Sequence, residues 1–402
     1  MEMAELTALL TPEGLRLLDE LPPVESADDV ARIVSRLRKA GHSPDLVSAV
    51  VTQSRLRVRA APKFGPFASR MLFTRAGLEQ ATRLSVAARH AARFRDAGIT
   101  RVADLGSGIG GDALGLAALG LHVTAVDADE VTAAIAAYNL APFGDAVTVQ
   151  HATAQQTDLS GVEAVWLDPA RRTAGHSETA RTRPEDWSPP LNWAFDLARR
   201  LPAGIKLGPG LDRHLIPDDV EAQWVSADGS TIELVVWSGA LARDGVRRAA
   251  LVLRDGEGHE LTAASDSPDE PVRGLGAFVH EPDGAVIRAR LIGEVARSLD
   301  AGMLDEHIAY LTSDAALTSP FVSSFRVRES MPAKVPTINA ALRAHGIGRV
   351  EIKKRGVDVD PAQFRRKLVL KGEAEATLLL TRIGTRRIAV LADRVSRPPR
   401  GD

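Results

Sequence analysis

Apolar residues recur every three or four positions through most of the first hundred residues, and then the period changes. AELTALLTPEGLRLLDEL, ADDVARIVSRLRKAG and SPDLVSAVVTQSRLRVRA each carry this helical spacing, with Gly or Pro between them. Ser43-Pro44-Asp45 reads as a helix start, a capping side chain followed by proline at the first helical position. After a break at Gly65-Pro66 the pattern predicts one long helix from about Arg75. Short apolar runs then appear at 99–105, 122–126, 147–150, 162–167 and 205–207, separated by helical stretches at 111–120, 129–140 and 191–201. Strands alternating with helices predict a doubly wound parallel sheet, whose ligand site lies beyond the carboxyl ends of the strands.

The pattern changes again after 210. Asp228-Gly229 stands between two β-rich runs, a hairpin signal, and a further run at 248–253 follows Asp244-Gly245. An antiparallel hairpin closing the edge of the parallel sheet fits. Residues 256–275 read as a loop or linker and 284–303 as a connecting helix. From Phe321 the order strand, helix, strand, helix, strand, strand predicts a compact α+β module. The expected organisation is a helical region at 1–98, a nucleotide-binding α/β domain at 99–255, a connector at 256–318 and the terminal module at 319–402.

Charge sharpens this division. The formal net charge is −2, but residues 321–402 hold eighteen Lys and Arg against eight Asp and Glu, which leaves the body acidic. A basic terminal block suggests a polyanion partner, unless it is only a soluble domain of basic composition. There is no cysteine among the 402 residues, which excludes disulfides, cysteine metal sites and a cysteine nucleophile. No apolar segment approaches the length that spans a bilayer, and MEMAEL lacks the basic start of a signal peptide. A cytoplasmic protein is expected, with no metal.

The chemistry concentrates in VADLGSGIGGDALGLAALGLHVTAVDAD, residues 102–129. A strand ends in a glycine cluster, a helix follows, and a second strand ends at Asp127, which can accept hydrogen bonds from ribose hydroxyls. Gly106, Gly108 and Gly111 fit the dinucleotide fingerprint, whereas Asp104, Gly106, Gly108 and Gly110 fit the loop of S-adenosylmethionine (SAM) enzymes. Asp104 favours the second, because a carboxylate can hold an amino-acid ammonium and would repel a pyrophosphate. The turn Asp168-Pro169-Ala170-Arg171-Arg172 ends the fourth strand on the same rim.

Together these stretches resemble class I SAM-dependent methyltransferases. LFTRAGLEQAT, then the glycine loop, then Asp-Pro-x-Arg is similar to the trimethylguanosine-synthase-like group. VEIKKRGVDVDPAQFRRKLVLKG followed by ATLLLTRIG resembles the THUMP-like domain, an RNA-binding module. The resemblance covers roughly residues 60–402 and implies a Rossmann-like methyltransferase sheet, an N-terminal helical region and a C-terminal α+β THUMP-like module. It implies that Asp104, Gly106, Ser107, Gly108 and Gly110 face the methionine part of SAM, with Asp127 on the ribose and Ala128 and Thr153 near the adenine. The catalytic turn would be Asp168, Pro169 and Arg171.

Two departures stand out. Thr153 replaces the acidic residue common after the third strand, and Ala170-Arg171 replaces the proline and stacking aromatic of amine-methylating motifs. Trp187 is a candidate stacking platform or a packing residue. Arg171, Arg172, Arg181 and Arg183 form a basic fringe that either clamps phosphates or is a solvated loop, and Lys206 would face the acceptor. Lys353, Lys354 and Arg355 would grip tRNA or rRNA. The expected reaction is methylation of a base nitrogen, since carbon-5 methylation of a pyrimidine needs a cysteine nucleophile. A small-molecule methyltransferase and a non-catalytic SAM- or RNA-binding protein remain the alternatives.

Overall fold

The computed structural model describes residues 1–171 and 184–395. The chain forms two compact units. The first comprises Met1–Leu207, Asp212–Val220 and Val236–Arg243, and the second the rest of the described chain.

The first unit begins with four helices, α1 (Met3–Leu9), α2 (Pro12–Glu20), α3 (Ala27–Lys39) and α4 (Pro44–Phe64). The first periodic stretch divides in two because Thr11 caps α2, its hydroxyl accepting from Gly14 N, with Pro12 at the first helical position. Ser43 caps α4 as expected, accepting from Leu46 N at 3.3 Å. Val24, Ile33, Leu37, Val47 and Val51 share one apolar cluster.

The long helix expected from Arg75 is two, α5 (Arg75–Gln80) and α6 (Leu84–Asp96). Lys63 causes the break from across the fold. Its Nζ donates to the carbonyls of Leu78, Glu79 and Ala81 at 2.7, 2.8 and 2.9 Å, closing the carboxyl end of α5 as a cation at a helix C-terminus does.

The sheet strands of this unit are β1 (Arg101–Leu105), β2 (His122–Asp127), β3 (Val147–His151), β4 (Ala164–Leu167) and, after the short β5 (Ala170–Arg171) and β6 (Trp187–Ser188), β7 (Ala203–Leu207). Helices α7 (Gly111–Ala118), α8 (Glu130–Leu140) and α9 (Leu191–Ala198) connect them. The spatial order is β7-β4-β1-β2-β3, all parallel. Strands β4 and β7 are buried at every position, as central strands covered on both faces must be. Trp166, Trp237, Phe94 and His90 form an aromatic layer, with His90 and Trp166 ring centroids 4.5 Å apart. Gly204 lies under it, where a Cβ would come within 2.6 Å of the Trp166 ring.

In the second unit β8 (Glu221–Ala227) and β9 (Ser230–Ser238) form the expected hairpin. Asp228 and Gly229 have φ of 51° and 78°, the signature of a two-residue turn that matches strand twist. Three residues of β9, Val236–Ser238, belong to the first unit, where β9 follows β7 in the strand order. The hairpin is not an edge. β10 (Arg248–Arg254) pairs parallel with β8, and β11 (Glu257–Ala263) pairs antiparallel with β10 through a second turn, Asp255-Gly256, with φ of 54° and 78°.

Residues 256–318, expected as a connector, therefore begin with a strand and carry more. They include β12 (Phe278–Pro282), α10 (Gly284–Arg288), α11 (Ile292–Ser298), β13 (Gly302–Asp305) and β14 (Ile308–Ser313). The expected connecting helix is interrupted at Arg290, whose φ is 60°. β15 (Val322–Pro332), α12 (Val335–Ala344), β16 (Ile347–Lys354), α13 (Pro361–Arg365), β17 (Ala374–Ile383) and β18 (Arg386–Arg394) follow. Together these strands make a seven-stranded sheet in the order β13-β14-β12-β15-β18-β17-β16. One face packs under α12 through Ile338, Leu342, Leu378 and Leu391, and the other centres on Phe325, Leu379, Val390 and Tyr310. Among the described residues no helix is long and apolar enough to cross a membrane.

Candidate cofactor and acceptor site

Sheet register assembles the site. Leu105 aligns with Val126 on β2 and with Leu167 on β4, and Leu167 aligns with Ile205 on β7. One residue further on, four strand ends bring Asp127, Gly106, Asp168 and Lys206 to one rim. Gly106 has φ of 95°, and a Cβ there would come within 2.8 Å of the Asp168 carbonyl oxygen, so both conformation and space demand glycine. Gly106 N and Ser107 N donate to Val126 O at 2.9 Å, and Gly110 N donates to Ser107 O.

Asp127 holds the loop open. One carboxylate oxygen accepts from Gly108 N and the other from Asp129 N, each at 2.9 Å. Burial raises its pKa, and these two amide bonds oppose the shift. Ala128 is exposed beside it, and its carbonyl lies 3.2 Å from His151 Nε2. Thr153 is exposed and bonded to Gln156.

Asp104 is different in kind. It is completely buried, and neither carboxylate oxygen has a hydrogen-bond partner among the described residues. The Ser107 hydroxyl is likewise buried and unpartnered. Burial, then the Asp112 and Asp168 carboxylates, push the Asp104 pKa well above the ordinary range. A buried carboxylate without a partner costs several kcal/mol in order of magnitude unless a cation or donor meets it.

Behind it lies a polar cluster that motif reading did not find. Asp112, in the first turn of α7, accepts from Thr82 Oγ1 at 2.7 Å and lies 3.1 Å from His90 Nδ1. Lys206 Nζ reaches Thr82 Oγ1 at 2.9 Å, Asp112 Oδ2 at 3.4 Å and Asp168 Oδ2 at 2.6 Å. Burial would raise the Asp112 pKa, but the Lys206 ammonium and the His90 contact outweigh it and hold the group below the usual carboxylate range. Lys206, expected to face an acceptor, is thus turned inward and only 9% exposed. Asp112 gave no motif signal, since an acid in a first helical turn reads as complementing the helix dipole. His90 reads as a lone histidine on an apolar helix face.

The segment before α5 packs against the loop. Asn139 exchanges two hydrogen bonds with the Leu72 backbone and donates a third to Ile109 O, while Gln53 exchanges two with Phe73. A Cβ on Gly77 would meet the Ile109 side chain at 2.5 Å. Helix α5 therefore rests directly on the glycine loop. Pro169 is buried, and Ala170 begins the two-residue ladder with Trp187-Ser188 in which Arg171 pairs with Trp187. Trp187 is itself buried, at 6% exposure, rather than offered as an open platform. Arg172, Arg181 and Arg183 lie outside the described residues.

In the second unit the Lys353-Lys354-Arg355 cluster is split by strand alternation. Lys353 pairs with Glu281 at 2.5 Å, and Arg355 lies 3.8 Å from the same carboxylate and 5.4 Å from the Tyr310 ring. Lys354 is exposed and makes no ion pair among the described residues. Among those residues no group of three or more His, Cys, Asp or Glu is placed to hold a metal ion.

A parallel sheet with a glycine loop after β1 and an acid at the end of β2 defines a Rossmann-like α/β fold. A protein of Mycobacterium tuberculosis H37Rv, named an uncharacterized S-adenosylmethionine-dependent methyltransferase, is 33% identical over 374 residues, covering 91% of this chain and 100% of the relative. The same values hold for its counterpart in strain CDC 1551. The chain belongs to the S-adenosylmethionine-dependent methyltransferases, and its cofactor is S-adenosylmethionine. A solved Porphyromonas gingivalis W83 protein, provisionally named a methyltransferase, shares the fold at 19% identity and TM-score 0.70, over 93% of this chain and 100% of that one. The THUMP domain-like family model matches residues 322–394, and a model for a domain of unknown function matches residues 2–60, where no motif was found.

Proposed function

We propose that this enzyme methylates a base nitrogen in structured RNA, tRNA or rRNA, in the cytoplasm. The observation that carries the cofactor side of this reading is Asp104, a buried carboxylate just before the glycine loop with no hydrogen-bond partner among the described residues. It fits the ammonium of the cofactor's amino-acid part, and the Ser107 hydroxyl beside it fits the same polar end. Gly106, Gly108 and Gly110 admit the ligand to the backbone. Asp127, already fixed by two amides, retains lone pairs for ribose hydroxyls, and Ala128 and Thr153 border the adenine. When bound, the cofactor supplies a methyl group on a positively charged sulfur.

The chain's own residues orient the acceptor. The Asp168 carboxylate and the Pro169 carbonyl accept the amine protons and aim the nitrogen lone pair, which suits an in-line transfer governed by placement and electrostatics. The acceptor base must leave its stack to reach them. Arg171 and Arg172, next in the sequence, supply the positive charge that suits an RNA backbone. The arrangement is that of the trimethylguanosine-synthase-like group, with alanine where the second proline would stand.

Two observations support RNA as the substrate: the THUMP-like match over 322–394 and the placement of unpaired cations. Lys354, Arg366, Lys367 and Arg387 are exposed without ion pairs among the described residues. Lys354 and Arg387 lie two residues along their strands from Ile352 and Ala389, which pack on the α12 face, so both point to that face. Calorimetric titration with S-adenosylmethionine tests the cofactor site, and transfer of labelled methyl to RNA from a strain lacking the protein tests the substrate. No label in that RNA, with cofactor binding intact, would sink the RNA reading.

A further inference from the structure

We propose that Lys206 is a positioning residue for Asp168: anchored from behind by Asp112 and Thr82, its ammonium fixes the carboxylate that faces the acceptor and keeps it charged. The inference rests on the acceptor role given to Asp168 above. It begins from an asymmetry. Lys206 sits between two carboxylates, of which Asp112 is buried and tethered by His90 and Thr82, while Asp168 has a third of its side chain exposed at the rim. The buried side is held by three elements, Asp112 on α7, His90 on α6 and Thr82 between α5 and α6. On the rim side Lys206 Nζ lies 2.6 Å from Asp168 Oδ2.

Charge explains why a cation is needed there. Asp112 on α7 and Asp168 itself both oppose ionisation of the buried Asp104 on β1. Three carboxylates would crowd one end of the sheet without Lys206, and like charges in a desolvated site suppress ionisation. Lys63 on α4 also feels Lys206, but its Nζ is committed to three carbonyls at the end of α5. A neutral Asp168 would offer a hydroxyl in place of one acceptor oxygen and would direct the amine less well. Lysine suits the task, since the three Nζ protons allow donation to Thr82, Asp112 and Asp168 together.

The test reads the carboxylate directly and needs no acceptor. Aspartate carboxyl carbons in the full chain are labelled with carbon-13, and Asp168 is assigned by the resonance lost in Asp168→Asn. In Lys206→Met its titration midpoint should rise by about one unit or more, the usual influence of one close opposite charge. Asp112→Asn should move it the other way, because Asp112 no longer competes for the Lys206 ammonium and one repelling carboxylate is gone. Lys206→Arg should stay near the wild type.

Melting curves identify the folded variants, and Lys206→Gln or Asp112→Asn serves if Lys206→Met does not fold. A loss of stability alone cannot produce shifts of opposite sign. An unmoved midpoint in folded Lys206→Met or Lys206→Gln, or a rise in Asp112→Asn, overturns the proposal. Turnover separates this from the acceptor reading. If Asp168→Asn methylates RNA at the wild-type rate, the acceptor role falls while the titration still judges Lys206.

Discussion

The two units treat charge in opposite ways. At the rim of the parallel sheet, Asp104 is buried with no hydrogen-bond partner among the described residues, and the Lys206 ammonium reaches both Asp112 and Asp168. On one face of the seven-stranded sheet the charges are matched: Lys353 with Glu281, Arg394 with Glu351, each at 3 Å or less. Arg328 and Asp393 form a further pair at 2.5 Å. Evolution tolerates an unmatched buried charge where a ligand completes it, whereas matched charges hold a surface together. The basic terminal block thus does not grip a polyanion with all its cations. Lys354, Arg366, Lys367 and Arg387 are among the cations left exposed without an ion pair among the described residues.

The largest effect expected from breaking this contrast is at the acceptor turn. Asp168→Ala should lower methyl transfer by about 100-fold or more, the scale of one positioned proton acceptor. Calorimetry should meanwhile find cofactor affinity changed by less than about threefold, which is about 0.7 kcal/mol. Full turnover in this variant would remove Asp168 from the chemistry.

Asp104→Asn should weaken S-adenosylmethionine binding by about tenfold or more, near 1.4 kcal/mol. The same change should stabilise the cofactor-free protein at neutral pH by about 1–3 kcal/mol, the scale of an unsatisfied buried group. The sign follows from linkage. A carboxyl with a raised folded-state pKa favours the fold below its unfolded pKa, and that contribution is lost as pH rises through the folded value. Melting temperatures across pH 4 to pH 8 should therefore fall less in Asp104→Asn than in the wild type. A parallel decline in the two would show that Asp104 is not the strained group.

A smaller effect discriminates the two kinds of cation in the second unit. Replacing Lys354, Arg366 and Lys367 by alanine should flatten the salt dependence of RNA binding by about two to three in slope, since each lost phosphate contact removes about 0.9. Replacing Lys353 and Arg355 should leave that slope nearly unchanged and cost about 1 kcal/mol of stability at most, as for part-exposed ion pairs. A gel-shift series over salt reads both, and equal slopes for the two sets would dissolve the distinction. An effect of similar size, about 1–2 kcal/mol in chemical unfolding, is expected from Thr82→Val, which removes the hydrogen bond donated to Asp112 and the one accepted from Lys206.

Much of this molecule was legible one residue type at a time. Buried parallel strands are continuous apolar runs, so β1, β2, β4 and β7 stand where 99–105, 122–126, 162–167 and 205–207 place them. The Asp228-Gly229 turn and the glycine loop carry local rules. Asp255-Gly256 carries the same rule, and reading 256–275 as a linker overlooked it. The breaks were harder. Nothing near Ala81 announces the end of α5, because the cation that closes it is Lys63, far back in α4. Strands β13 and β14 make a short hairpin, and β12 pairs only with β14 and β15, thirty or more residues further along the chain.

The sequence by itself determined the alternation of elements, the loop chemistry at residues 104–111 and the acidic and prolyl turn at 168–169, since these depend on local spacing and backbone conformation. Tertiary structure alone decided how charge is distributed. Register set Asp127, Gly106, Asp168 and Lys206 on one rim, burial left Asp104 without a partner, and packing turned Lys206 toward Asp112. Whether a charge is paired, buried or free depends on residues distant in the chain, and that is information no local pattern carries.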